Sequence, residues 1–356
     1  MIAVNARFLT QPITGVQRFA LEISRGLQLL CNKNEIKFFA PHNILQEAEA
    51  NEFDVEIIGS HTGHLWEQFD LPQHLKKKGS PLLLNFCNTA PVFYSNKIST
   101  LHDITYIRFP KTYSIAFRLF YQAIIPRVLK SSKHVFTVSE FSKKEICNYY
   151  HLLDEKITVV HNAVNDSFHP QSNEKLTKEN YLLAVSSVKE SKNFEMIVKA
   201  FEGVSKEMGN LKLFIVGDLK SGSFSSINLD TLTSNPKIKL LGRVSDAELV
   251  ELYSNAIAFL FPSLYEGFGI PVLEAQACHC PVIASNAASM PEVLANSADL
   301  VHPHNIDDWI QAIYNLVKNT EHRNQLIESG IRNISRFSWN QSANKVFNNI
   351  IEGMQK

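Results

Sequence analysis

Two glutamates with seven residues between them, Glu266 and Glu274, mark the stretch of this chain best equipped for chemistry. They sit in the run Phe261-Pro262-Ser263-Leu264-Tyr265-Glu266-Gly267-Phe268-Gly269-Ile270-Pro271-Val272-Leu273-Glu274-Ala275. Two glycines followed by a proline read as a tight turn into a helix. Such a turn gathers unpaired backbone N–H groups and a positive helix end, which suit phosphate. Carboxylates beside a phosphate cradle would repel it unless they aim elsewhere. Their natural targets are hydroxyls, for which an ionised carboxylate is a strong acceptor. A phosphate cradle with two diol binders describes a nucleotide-sugar site. The plainer alternative is a glycine turn needed only for strand-to-helix packing, with Glu274 as a helix-dipole partner.

The elements that must position these residues are legible around them. Asn255 to Leu260 is almost wholly apolar and reads as a buried strand. Val272 to Cys278 reads as a helix with Pro271 at its first position, where a missing N–H costs nothing. The passage resembles the E-x7-E signature of retaining glycosyltransferases of family 4, the group 1 glycosyltransferases of GT-B fold. The Gly-Phe-Gly insert and the following proline match as well. By this resemblance Glu274 holds the nucleotide ribose and Glu266 the donor sugar. Phe268 and Gly269 offer amides to the sugar, and Ile270 and Val272 offer amides to the pyrophosphate.

The chain has 356 residues, 45% hydrophobic and 20% charged, which allows two ordinary globular domains with ample core. A formal net charge of +0 implies no general attraction to nucleic acid. Five scattered cysteines, Cys31, Cys87, Cys147, Cys278 and Cys280, fit a reducing compartment. Cys278-His279-Cys280 looks like half a metal site, but no second pair accompanies it, so a buried helix end is the preferred reading. The N-terminus starts as a strand without the charged region of a signal peptide, and no apolar run reaches the ~20 residues of a membrane span. The expectation is a cytoplasmic protein, soluble or peripheral at the inner face of the cytoplasmic membrane.

In chain order the first half alternates strand and helix. Met1 to Val4 is a strand, and Val16 to Leu30 a helix entered through Thr14-Gly15. Residues 36–40, 81–86, 97–101, 134–139 and 157–162 are further strands. Gly15 reads either as a helix cap or as the family's first glycine loop, facing the donor. His102 follows the strand ending at Leu101, on the edge where open α/β sheets bind ligands. It looks like the family's strand-end histidine, which contacts the donor sugar or orients the acceptor. Residues 108–133 hold six basic and no acidic residues among five aromatic ones. Two readings stand side by side: a surface lying on an anionic membrane or a lipid diphosphate acceptor, and a core helix with a solvated basic face. Ser139 is a plausible cap for the helix that follows it.

The second half restarts the alternation at Tyr181 to Val185. The expected architecture is α/β, GT-B, with two Rossmann-like β/α/β domains facing each other across a cleft. The N-terminal acceptor domain is placed at 1–170 and the nucleotide-sugar domain at 171–337. The helix 338–356 is expected to return to the first domain, as the resemblance implies.

Sugar transfer must stabilise a leaving pyrophosphate. No Asp-x-Asp pair stands here to hold a divalent ion, so backbone amides and a protein cation are expected to meet the charge without metal. Lys192 is the first candidate, after the first strand of the second half. The family's earlier arginine position is filled by Ser187, and Arg243 is the candidate to compensate. The resemblance and these residues lead to the expectation of a retaining hexosyltransferase using a nucleotide-diphosphate sugar, GDP-mannose, without a cofactor. Its partners are that donor and a growing glycan or lipid-linked glycan of the capsule or lipopolysaccharide type. A nucleotide-sugar epimerase and a non-catalytic sugar-nucleotide-binding protein remain as rivals. A dinucleotide enzyme is disfavoured because Val272 occupies the third glycine position.

Overall fold

A computed structural model describes residues 1–32, 35–173, 176, 179–185, 189–217 and 235–355. Ser187 lies outside these. The chain divides into two compact units. Unit 1 comprises Met1–Ile104, Ser114–Asn162 and Ser338–Lys356, and unit 2 comprises Thr105–Tyr113 and Ala163–Phe337.

Unit 1 is built on a seven-stranded sheet of β1 (Ile2–Asn5), β2 (Ile36–Ala40), β3 (Glu56–Ile57), β4 (Leu82–Asn85), β5 (Lys97–Thr100), β6 (His134–Thr137) and β7 (Ile157–Val159). Their order is β3-β2-β1-β4-β5-β6-β7, every adjacent pair parallel. The inner strands β1, β4 and β5 are buried throughout; β1 and β4 are mostly apolar, as expected of strands covered on both faces, whereas β5 buries Lys97, Ser99 and Thr100. β1 lies between β2 and β4, so the winding reverses beside it. Crossover helices cover the sheet. The helix Gly15–Leu30 carries a buried face of Phe19, Ala20, Ile23 and Leu27. The last helix, Trp339–Gln355, packs against it. Gly26 makes that approach possible, because a Cβ there would stand 2.3 Å from the Cβ of Ala343. Ser342 Oγ donates to the His161 carbonyl and fixes the same helix at the far end of the sheet.

Unit 2 repeats the plan with β8 (Tyr181–Val185), β9 (Lys212–Val216), β10 (Ile238–Gly242), β11 (Ala258–Phe261), β12 (Val282–Ser285) and β13 (Asp299–Val301). The order is β10-β9-β8-β11-β12-β13, again all parallel. The winding reverses between β8 and β11. The helix Phe194–Ser205 buries Phe194, Ile197, Val198, Phe201 and Val204 against this sheet, with Trp309, Ile313 and Leu316 of the helix Ile306–Lys318 completing the core. Cys278 and Cys280 are buried beside the sheet, with both thiols pushed up by burial, Cys278 to about 12. His279 between them is exposed and left-handed (φ 59°), which ends the helix there.

Candidate active site

In unit 2 the predicted residues converge on the reversal of strand order. Lys192 follows β8 and Glu266 follows β11, the two strands flanking the switch point where doubly wound sheets bind ligands. Lys192 Nζ donates directly to Glu266 Oε1, with side chains 23% and 14% exposed. Leu264 N–H donates to the Ser191 carbonyl at 2.7 Å and ties the two loops together. Asn193 adopts the left-handed conformation (φ 50°), and its amide donates to the Pro303 carbonyl at 2.8 Å, so the Lys192 turn is held on both sides.

The glycine turn is shaped by contacts that local spacing does not reveal. Gly269 caps the next helix at φ 90°. The backbone angle calls for glycine, and a Cβ at this position would lie 2.5 Å from Cε at the end of the Met290 side chain. The Ser289 hydroxyl lies within hydrogen-bond distance of the carbonyls of Glu266 (3.0 Å) and Phe268 (3.1 Å). Phe268 packs edge-on against Phe337 at 5.4 Å. The helix runs Ile270–Ala277, so Pro271 is its second residue rather than its first. The Val272 N–H donates to the Gly269 carbonyl at 3.2 Å, which uses one of the two amides assigned to pyrophosphate inside the helix's own first turn. Glu274 is 8% exposed, on a helix that also buries Ile270, Val272, Leu273 and Ala275. The buried Tyr253 phenol is raised well above its usual value, by burial first and by the negative charge of Glu274 second.

Other predicted residues stand apart from this cluster. Arg243 follows β10, two strands from β8, with an exposed side chain. His102 and Gly15 belong to unit 1. His102 follows β5, is 5% exposed and shares its Nε2 hydrogen bond with the Phe86 carbonyl at 2.9 Å. Burial lowers its pKa and keeps the ring neutral. Its ring meets Phe19 of the first long helix edge-on at 5.0 Å. Gly15 is the first, exposed residue of that helix, and the Gln17 side chain accepts from the Thr14 N–H at 3.2 Å in a capping arrangement.

Comparison with known proteins decides the family. The model described as glycosyl transferases group 1 matches residues 165–333, and that described as glycosyltransferase family 4 matches residues 13–168. The chain belongs to the group 1 glycosyltransferases. This glycosyltransferase is 24% identical over 365 aligned residues to an O-antigen chain mannosyltransferase B of Escherichia coli, covering 95% of this chain and 96% of that one. It is 36% identical over 221 residues to the O-antigen chain mannosyltransferase RfbU of Salmonella typhimurium, covering 62% and 61% respectively. Among solved structures it superposes on HepE of Anabaena, crystallised with UDP and glucose, with TM-score 0.75, 14% identity and 99% of each chain covered. The fold is GT-B.

Three residues that contact the candidate site escaped the sequence reading: Ser191, Ser289 and Met290. The proline-led start Met290-Pro291 was visible as a helix entry. That its preceding serine reaches back over 20 residues to the glycine turn was not.

The helix Ile115–Ser131 divides in a way that bears on the basic stretch. Its second half buries Ile124, Ile125, Val128 and Leu129, whereas Ile115 and Leu119 in its first half are exposed. No helix among the described residues is long and apolar enough to cross a membrane.

Proposed function

We propose that this glycosyltransferase moves a hexose, mannose from GDP-mannose, onto a growing O-antigen or capsule-type polysaccharide, with retention of configuration. The observation that carries the reading is the Lys192–Glu266 pair at the β8/β11 switch point, with Glu274 buried on the adjoining helix. The names of the two O-antigen mannosyltransferase relatives support mannose and the class of acceptor.

Glu274 accepts the ribose hydroxyls and Glu266 a donor-sugar hydroxyl. Lys192 exchanges part of its bond with Glu266 for the diphosphate, so it is held in place before the donor arrives. Phe268 and Gly269 supply amides to the sugar, and Ile270 at the helix start supplies one to the pyrophosphate, with Val272 joining when the first turn loosens. Arg243 is the second cation for the phosphates. In the transfer, the bond from the anomeric carbon to the phosphate oxygen breaks as the bond to the acceptor oxygen forms on the same face. The acceptor proton passes to the departing phosphate, so no dedicated base is needed. Unit 1 takes the acceptor, with His102 and Gly15 at its ligand-binding edge. The reaction needs no metal, and the exposed Ile115 and Leu119 give the basic stretch 108–133 a peripheral hold on the cytoplasmic membrane face.

Thermal shift against GDP, UDP, dTDP and CMP tests the donor, because a ligand that binds only the native state raises its melting point. GDP is expected to give the largest rise. Transfer from radiolabelled GDP-mannose in EDTA then tests the chemistry. A preference for UDP replaces the donor assignment, and an epimerised or unchanged donor overturns transfer.

A further inference from the structure

Unit 1 has its own charged cluster, built at the place where its own strand order reverses. Asn5 ends β1 and Asn85 ends β4, the strands on either side of that switch point. Between them lies Glu67, 1% exposed. It accepts hydrogen bonds from Asn5 Nδ2 at 2.9 Å and Arg7 Nε at 3.2 Å. Asn5 Nδ2 also lies 3.0 Å from Asn85 Oδ1, and an Arg7 terminal nitrogen donates to Thr89 Oγ1 at 2.9 Å. The second oxygen of Glu67 stands 3.4 Å from Nδ1 of His64.

Burial opposes the charge on Glu67, but Arg7 and His64 outweigh it and hold the carboxyl at about 2. A buried ion pair of this kind adds little stability over a packed apolar pair, so its presence asks for another reason. Its setting supplies one. Glu67 sits on a π-helical turn, Trp66–Asp70, a distortion that aims side chains at sites. His64 comes one turn earlier, with its side chain 38% exposed and its ring 4.5 Å from that of Phe120. With Glu67 on Nδ1, the tautomer that donates through Nδ1–H presents Nε2 as an acceptor. One oriented acceptor nitrogen beside a half-buried aromatic face suits a neutral pyranose: a hydroxyl for the nitrogen and a C–H face for the ring.

We propose that His64, oriented by Glu67 and Arg7, recognises the acceptor: its Nε2 accepts a hydrogen bond from a pyranose hydroxyl while Phe120 packs against the sugar face. Glu67 and Arg7 are positioning residues that act through His64. The proposal rests on the reading above that unit 1 takes the acceptor.

The test uses the whole chain and the methyl α-pyranosides of mannose, glucose and galactose as probes. Binding is followed by saturation-transfer NMR, with GDP calorimetry as an independent measure of unit 2. At least one pyranoside is expected to bind the wild type. His64→Ala should weaken it tenfold or more, His64→Gln should recover part of the loss, and GDP affinity should stay unchanged in both. Glu67→Gln should weaken the pyranoside in the same direction, provided its melting transition shows it folded. The proposal is overturned if none of the three sugars binds the wild type, or if His64→Ala binds as well as the wild type. GDP that fails to bind, alongside His64-dependent pyranoside binding, would sink the donor assignment and leave this one standing.

Discussion

The ion pair between Lys192 and Glu266 puts the residue proposed for phosphate and the residue proposed for sugar in one hydrogen bond before any ligand arrives. Removing either should therefore disturb the other. Lys192→Ala is expected to lower kcat by roughly 10²- to 10³-fold, the usual loss when one preorganised charge stabiliser is removed. Glu266→Ala combined with it should cost much less than the product of the two single losses. A Lys192→Ala enzyme at full rate would move the phosphate role to Arg243. Glu274→Ala should weaken nucleotide diphosphate binding by about tenfold or more in calorimetry, some 1.4 kcal/mol. Unchanged affinity would remove Glu274 from the ribose. Glu266 and Glu274 were legible in the sequence because glycines and a proline punctuate a short local stretch. The Lys192 contact was not, since its partner lies 74 residues away and only the parallel pairing of β8 with β11 brings them together. His64 and Glu67 were silent for a similar reason. The π-helical turn Trp66–Asp70 inside the helical run from Gly63 to Lys77 breaks the 3.6-residue period, and Glu67's partners Asn5 and Arg7 lie about 60 residues away.

At the scale of elements, two glycines carry distinct burdens. Gly269→Ala forces a side chain into a left-handed backbone and against Met290, and should cost more than about 1 kcal/mol. Thermal denaturation should show a lower melting point together with loss of donor binding, and an unshifted melting point would mean the turn relaxes freely. Gly26→Val pushes the helices Gly15–Leu30 and Trp339–Gln355 apart at their crossing, for roughly 1–3 kcal/mol of overpacking, read as a lower denaturant midpoint. A midpoint equal to the wild type would contradict the crossing. The long buried strands and the serine cap of the helix Glu140–Tyr150, where Ser139 Oγ accepts from the Ser142 N–H at 3.0 Å, follow from composition and capping chemistry. β3 and β13 do not. They are two and three residues long and lack a buried apolar run, so nothing in their sequence separates them from loop. The single-residue difference at Pro271 arises because Gly269, not Ile270, adopts the capping conformation.

For the whole molecule, the two α/β halves are written in the alternation of apolar runs and amphipathic stretches. The grouping of residues 105–113 with unit 2 is not, because it depends on contacts such as the Lys189 ammonium over the Tyr113 ring at 5.3 Å. Acid should weaken unit 1 through Glu67. Its folded carboxyl, at about 2, lies below the ordinary 4.5, so its contribution is complete above pH 4.5 and is lost as pH falls from there towards 2. The full swing is about 3 kcal/mol. Trp66 is buried in this unit, so denaturant unfolding followed by fluorescence in a Trp309→Phe background reports it. A midpoint constant between pH 4.5 and 2.5 would show that Glu67 is not held as an anion.

The last helix also sets an order of events at the ribosome. Residues 163–337 emerge before Trp339–Gln355, so unit 2 can close while the Gly15–Leu30 helix still lacks its lid. A released chain ending at Phe337 should then resist protease across the later-made half and be cut in the earlier-made one, reversing the usual rule that what is translated first matures first.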